Sequence, residues 1–249
     1  MDLKKRLGIL RSIAMYYWKP FNRRRLRKFY AQFVQKGDLC FDIGAHLGNR
    51  SDAWLQLGAR VVALEPQPSC IHFLTKKFDK NNQFILVEKA VGQSSGTATL
   101  HISSLTPTVT TLAKKDWRNM IDNETSYKVK WDKSVEVPVV TMDALINEYG
   151  IPAFCKIDVE NLELEVLLGL SKAIPALSIE FFSKTMSRTI ACIDHLETLA
   201  LYEYNWSFGE SQKMDAIVWV DSNKAKSNLL SFDDERIPSG DLYARKLKK

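Results

Sequence analysis

The sequence predicts a doubly wound α/β sheet, mostly parallel, preceded by basic helices. Three observations carry that prediction. Between Leu39 and Glu88, short continuous apolar runs alternate with stretches of helical character, the strand–helix–strand order of a parallel sheet with right-handed crossovers. Each run ends in a glycine turn or an acid. The 249 residues, 45% hydrophobic and 26% charged, suit one sizeable soluble core with an appendage.

The first 36 residues read as a basic aromatic helical extension, divided at Pro20, which cannot continue a helix. Gly37-Asp38 is a turn. Leu39–Ile43 is then a strand, Asn49–Leu57 a helix stopped by Gly58, and Arg60–Leu64 a second strand. Ser69–Asn81 is a helix and Phe84–Glu88 a third strand. Gly96–Ser103 alternates polar and apolar residues, as a half-buried strand does. The polar stretch 104–134, with Thr106 to Thr111 and Trp117, is either an insertion on the surface or a lid. Val135–Val140 is a strand, Met142–Tyr149 a helix, Phe154–Val159 a buried strand and Leu162–Leu170 a helix. Leu177–Phe182 and Ser187–Leu201 repeat that unit. Tyr204–Phe208 and Ala216–Val220 read as a final strand pair, antiparallel if a hairpin joins them. The α/β domain thus runs over 37–222, with a basic tail over 223–249.

Charge is concentrated at the ends. Residues 1–36 hold eleven Lys and Arg against Asp2, and the last nine residues hold Arg245, Lys246, Lys248 and Lys249 against Asp241. With a net charge of +6 overall, the body between is acidic. Such a body repels a long polyanion, so a nucleic-acid partner is not expected, while bases beside Tyr16, Tyr17, Trp18 and Phe21 suit an anionic membrane surface. No apolar run reaches the ~18 residues of a membrane span, and the basic N-terminus has no apolar core of a secretory signal. The four cysteines, Cys40, Cys70, Cys155 and Cys192, are widely spaced and form no CxxC pair. Buried reduced thiols in a cytoplasmic protein are expected, peripheral at the inner membrane surface if the basic segment touches lipid.

The sharpest local feature is the strand end Phe41-Asp42-Ile43-Gly44-Ala45-His46-Leu47-Gly48-Asn49. Ligands of open parallel sheets bind beyond the carboxyl ends of strands, where this turn lies. Gly44 would let backbone approach a ligand, and Asp42 could accept from an ammonium group. The D-x-G-x-x-x-G spacing is not the G-x-G-x-x-G of dinucleotide binders, which disfavours a nicotinamide dehydrogenase. Glu65, before Pro66 at the end of the next strand, is placed to accept hydrogen bonds from two ribose hydroxyls. In Lys156-Ile157-Asp158-Val159-Glu160, strand period puts the three charged residues on one face. Charge inside a buried strand is costly unless paired or functional. Asp158 and Glu160 are therefore the candidate bases, with His46 third, while Lys156 is equally a substrate residue or the partner of an ion pair. Two carboxylates without a third ligand do not argue for a metal, and none is expected.

Together these residues resemble the FkbM family of methyltransferases. The resemblance is strongest from Phe41 through His46 to Leu64-Glu65-Pro66, and from Thr141-Met142-Asp143-Ala144-Leu145 through Phe154 to Glu160 and on to Gly169. The family reads K-I-D-V-E-G, and this chain has Asn161 at the glycine, a residue that tolerates left-handed backbone. Leu162 stands where the family has a small or aromatic residue, and Ala176 to Phe181 resembles its next strand, with Glu180 at the crevice end. The resemblance implies a Rossmann-like, seven-strand class I fold with an antiparallel C-terminal strand. It implies S-adenosylmethionine as cofactor, held by Asp42, Gly44, His46, Gly48, Asn49, Glu65, Pro66, Ala90 and Asp158. It also implies methyl transfer to a hydroxyl of a glycan, lipid-linked sugar or natural product, with Glu180 and Lys156 toward the substrate. A cofactor-binding regulatory protein without turnover, and an RNA methyltransferase using the basic N-terminus, are the alternatives.

Overall fold

The computed structural model describes residues 3–18, 21–112, 129–232 and 239–247, with side chains of the first helix from Leu7 onward. Helices α1 (Leu3–Tyr17) and α2 (Asn22–Tyr30) open the chain, and Phe21, at φ 62°, starts the second. Pro20, expected to divide them, lies outside the described residues, as does Trp117.

Strands β1 (Leu39–Ile43) and β2 (Arg60–Leu64) flank α3 (Asn49–Gln56), and α4 (Pro68–Phe78) leads to β3 (Phe84–Val87). A smaller sheet of β4 (Ala90–Val91), β5 (Gly96–Ile102) and β6 (Lys133–Val140) follows, in the order β4-β6-β5. The main sheet resumes with α5 (Met142–Tyr149), β7 (Phe154–Ile157), α6 (Glu163–Leu168), β8 (Ala176–Phe182), α7 (Met186–Leu199) and β9 (Tyr202–Phe208). It ends with α8 (Ser222–Leu230) and β10 (Ser239–Lys246). Local chemistry fixes several boundaries. Thr141 caps α5 by accepting from the Ala144 amide at 3.1 Å, and Asp221 caps α8 by accepting from Lys224 at 2.9 Å.

The seven strands lie in the order β3-β2-β1-β7-β8-β10-β9, with β10 antiparallel to both neighbours. This overturns part of the C-terminal reading. Ala216–Val220 is not a strand: it meets β9 through one isolated Tyr204–Val220 bridge and through hydrogen bonds between the Asn205 side chain and Ala216. The segment read as a basic tail instead supplies α8 and β10, which slides between β8 and β9. Its apolar centre is only Leu242, Tyr243 and Ala244, bounded by Arg245 and Lys246, so burial by two neighbouring strands, rather than its own pattern, makes it a strand.

Strand period sorts the core into two layers. Phe41, Ile43, Val62, Leu64, Cys155, Ile157, Leu177 and Ile179 face α5, α6, α7 and α8. Cys40, Val61, Ala63, Phe154 and Tyr243 face the other way, onto α2, α3 and α4. The N-terminal segment is part of this second layer. Leu26, Phe29 and Tyr30 of α2 are buried, and Tyr30 meets Trp54 and Phe154 edge-on at 5.4 and 5.6 Å. Aromatic pairs in that geometry contribute about 0.5–1.5 kcal/mol beyond their burial. All four cysteines are buried, as their apolar contexts predict. No helix among the described residues is long and apolar enough to cross a membrane.

Candidate active site

The strand order reverses between β1 and β7, where β1 passes to β2 on one side and meets the later half of the sheet on the other. Beyond the carboxyl ends of these strands lies a cavity with about 690 Å³ of space, part of it open to solvent. Six of the nine residues expected to hold a cofactor line it: Gly44, His46, Glu65, Pro66, Ala90 and Asp158. Glu160 lines it as well. Asp42, Gly48 and Asn49 do not.

The turn after β1 shows why. Gly44, at φ 81°, has no room for a side chain, because a Cβ there would lie 1.8 Å from the Asp158 carbonyl oxygen. Gly44 thus lines the cavity and also admits the backbone of the chain leaving β7, which draws the two strand ends together. Asp42, expected at the cofactor, is engaged elsewhere. Its Oδ2 accepts from the Ser51 hydroxyl at 2.5 Å and the Ser51 amide at 3.1 Å. It satisfies an orphan donor at the start of α3 and lies buried behind the cavity wall. Asn49 is turned inward, its Oδ1 accepting from the Arg50 amide. Gly48 takes φ 70° to start α3, and its α-carbon faces Leu74 and Phe78.

Glu65 sits where the sequence places it. Its carboxylate accepts from the His46 amide at 2.7 Å and the Gln67 amide at 2.8 Å, tying together the turns that follow β1 and β2. Each oxygen keeps further acceptor capacity. Burial pushes its carboxyl up to about 7, against the pull of those two amides. His46 holds left-handed backbone, φ 50°, and its Nε2 is buried without a partner. Burial lowers its imidazole to about 4, so the ring is neutral at physiological pH. A buried carboxylate with spare acceptor sites and an orphaned ring nitrogen, facing one cavity, fit a ligand that brings vicinal hydroxyls and other polar groups.

The far side of the cavity is acidic. Asp158, Glu160 and Glu180 place carboxylate oxygens within 4.8 Å of one another. Glu180, expected toward the substrate, reaches the group from β8 and lines a smaller cleft with Asn161 and Glu163; its convergence with the other two carboxylates is what the sequence did not show. Three such oxygens could take either a cation or a proton. Lys156, expected as an alternative substrate residue, is buried instead at 3% exposure. Its Nζ lies 2.9 Å from Asp158 Oδ2 and 3.1 Å from Asp241 Oδ1, and it does not line the cavity. Burial raises the Asp158 carboxyl, but the Lys156 ammonium overrides that and holds it near about 2. Burial, then the charge of Asp158, pushes Glu160 well above the ordinary carboxylate range, and Glu180 rises for the same reasons. Glu160 and Asn161 occupy consecutive left-handed positions, φ 58° and 73°, so Asn161 serves at the turn where the resemblance has glycine.

The roof comes from elements the sequence left open. Pro107, Thr108, Thr110, Thr111 and Leu112 of the polar insertion line the cavity. Thr111 Oγ1 donates to the Glu160 carbonyl at 3.0 Å, and Trp131 donates to Val109 O at 3.1 Å. Tyr16 of α1 completes the wall, edge-on to His46 at 5.6 Å. The spacing of Ile9, Ile13 and Tyr16 along one helical face is the signal that could have found it.

Comparison with known proteins follows this geometry. The model of the methyltransferase FkbM domain matches residues 42–206. A hexuronic acid methyltransferase, AglP, of Haloferax volcanii is 24% identical over 148 residues, 58% of this chain and 55% of that protein. The chain thus spans about half the length of that curated relative. Among solved structures, a precorrin-6y C5,15-methyltransferase of Geobacter metallireducens is similar at TM-score 0.47 and 12% identity, covering 93% of this chain and 91% of its own. A TehB-like SAM-dependent methyltransferase of Corynebacterium glutamicum is similar at TM-score 0.48 and 10% identity, covering 96% and 95%. The motifs that frame the cavity, from Asp42 through Glu65 to Asp158 and Glu180, all fall inside the matched region, and the chain belongs to the FkbM methyltransferase domain family.

Proposed function

We propose that this protein transfers a methyl group from S-adenosylmethionine to a hydroxyl oxygen of a glycan, a lipid-linked sugar or a natural product. One observation carries the proposal. A single cavity at the switch point has a ribose-type acceptor, Glu65, on one side and the Asp158–Glu160 carboxylates on the other. Family membership supports the donor, and the hexuronic acid methyltransferase supports a sugar acceptor.

Bound S-adenosylmethionine supplies a methyl carbon on a positively charged sulfur. Gly44, His46, Glu65, Pro66 and Ala90 would hold it, with Glu65 accepting from the ribose hydroxyls. Glu160 would take the proton of the acceptor hydroxyl that receives the methyl group. Alignment of donor and acceptor does most of the remaining work. Lys156 pairs with Asp158 and Asp241, and with Glu160 and Glu180 added the acids outnumber the one ammonium at this end of the cavity, which favours a neutral hydroxyl over an acceptor's own carboxylate. With lipid-linked sugars among the acceptors, we also place the basic N-terminal segment against an anionic membrane surface.

The test is calorimetric titration with S-adenosylmethionine and, separately, NAD, followed by assay of S-adenosylhomocysteine release with neutral sugars, uronic acids and RNA. Binding of S-adenosylmethionine only, with release driven by neutral sugars, is the expected result. Tight binding without release on any acceptor would favour a regulatory protein, and release driven by RNA would move the acceptor class. Binding of NAD instead would overturn the proposal.

A further inference from the structure

Helix α1 has two faces of different character. Ile9 and Ser12 are buried, and with Ile13, Tyr16 and Tyr17 they form the inner face. Tyr17 donates to the Leu47 carbonyl at 2.8 Å, and Gly8 fits against Ser104 and Pro107 so closely that a Cβ would lie 2.3 Å from the Ser104 carbonyl. The inner face therefore clamps the helix to the turn after β1 and to the roof segment.

The outer face is apolar and open. Leu7 is 50% exposed, Leu10 52%, Met15 37% and Trp18 71%, and Phe21 at the corner is 76% exposed. At 3.6 residues per turn, positions 7, 10, 11, 14, 15 and 18 share one side of a helix. A helix held only by its inner face gains nothing in water from such a row. Single exposed apolar residues are ordinary, but a continuous row rimmed by bases marks an interaction surface. Bases belong to the same segment. Arg11 is exposed within the row, and Arg24 and Lys28, one turn apart on α2 and three and seven residues past Phe21, are exposed and pair with nothing among the described residues. Arg23 and Arg25 are engaged, with Asp52 and with Gln212 and Glu210. Exposed Trp and Phe in a segment this rich in bases match the boundary between acyl chains and anionic headgroups, and the segment's positive charge is opposite in sign to the acidic body.

We infer that α1 rests its outer face on an anionic bilayer while its inner face walls the active-site cavity through Tyr16, so that the acceptor sugar is presented on a lipid carrier. The docking part stands on the surface itself; the acceptor part rests on the methyl-transfer reading above. It narrows three acceptor classes to one, because the wall of the cavity and the lipid-facing surface are two sides of one helix.

The experiment uses the full chain with phosphatidylcholine vesicles, with and without phosphatidylglycerol. Flotation with the anionic vesicles only, weakened by added salt, is expected. The double variant Leu10→Glu/Trp18→Glu, on the outer face and outside the cavity, should lose at least about tenfold in vesicle affinity and keep wild-type S-adenosylmethionine binding by calorimetry. On a glycosylated polyprenyl phosphate in the same vesicles, wild type should show at least about tenfold higher kcat/KM than on the free sugar. The double variant should lose that advantage and keep its rate on the free sugar. Absence of flotation, equal flotation of the double variant, or retention of RNA in place of vesicles overturns the docking. Equal rates on free and lipid-borne sugar overturn the acceptor assignment. Failure to bind S-adenosylmethionine with flotation intact overturns the methyl-transfer reading and leaves the docking standing.

Discussion

Glu160→Gln is expected to lower kcat by about 10²–10⁴-fold, the range for loss of a positioned general base, and to leave S-adenosylmethionine affinity nearly unchanged. The expectation follows from how the acidic cluster divides its charge. Lys156 commits its ammonium to Asp158 at 2.9 Å and Asp241 at 3.1 Å, so Asp158 stays ionised across the working pH range and is a poor proton acceptor. Glu160 lies beside that fixed negative charge, and burial with that charge raises its proton affinity. A carboxyl raised toward neutrality is the better base, since it takes a proton more readily once ionised. The sign of the pH profile follows. Turnover needs Glu160 without its proton, so kcat should fall as pH drops through an apparent pKa above that of an ordinary glutamate. That pKa belongs to the cluster, because Glu160 and Glu180 share the field of Asp158. Asp158→Asn removes the field and should move this limb to lower pH, even though it also slows the reaction. A chelator is expected to change neither variant nor wild type, because the Lys156 ammonium already offsets the Asp158 charge. Retention of kcat by Glu160→Gln within about threefold, or restoration of chelated enzyme by a divalent ion, would sink this assignment.

The fold was legible where burial is two-sided. β1, β2, β7 and β8 are covered on both faces, so their residues are mostly apolar on both faces, as central parallel strands must be, with Asp42, Lys156 and Glu180 among the charged exceptions. β10 was not, because strand character there comes from pairing: its three apolar residues gain burial only once β8 and β9 lie on either side. That single miss also hid the partner of Lys156. Asp241 sits in the same strand, and a lysine inside a buried strand reads ambiguously until its counter-ion is placed. Which acids stand at strand ends was readable, but where they point was not. Asp42 lies within β1, level with Ala63, while Glu65 lies two residues further on, past the end of β2, and one turns to the start of α3 and the other to the cavity. Glu180 was visible at its strand end, and its convergence with Asp158 and Glu160 depends on the neighbouring register of β7 and β8, which no periodicity encodes. Tyr16 and Pro107–Leu112 came from outside the motifs, on elements whose contribution to the site arises from tertiary packing.

The contrast between Asp42 and Glu65 gives the second large effect. Glu65→Gln is expected to weaken S-adenosylmethionine binding by about 100-fold, since hydrogen bonds to a charged group contribute about 1.5–3 kcal/mol each and two hydroxyls lose their anionic acceptor. The amide keeps the shape and one oxygen, so one of the two backbone amides, His46 or Gln67, still has its partner. Alanine at 65 would strip both and confound affinity with stability. Asp42→Asn is the matched control. Its carboxylate is spent on Ser51, 2.5 Å from the hydroxyl, and does not touch the cavity. It should cost about 1–3 kcal/mol of stability, read as a lowered Tm, with S-adenosylmethionine affinity within about threefold of wild type. Burial places the Glu65 carboxyl at about 7, which adds an independent sign. The ionised form is the one that accepts from both ribose hydroxyls, so affinity should rise from pH 6 to pH 8 and fall about tenfold per unit well below that pKa. Glu65→Gln, having nothing to titrate there, should show a flat profile. Equal losses of affinity in Asp42→Asn and Glu65→Gln would return Asp42 to the cofactor site, and a flat profile in wild type would mean that Glu65 binds as the neutral acid.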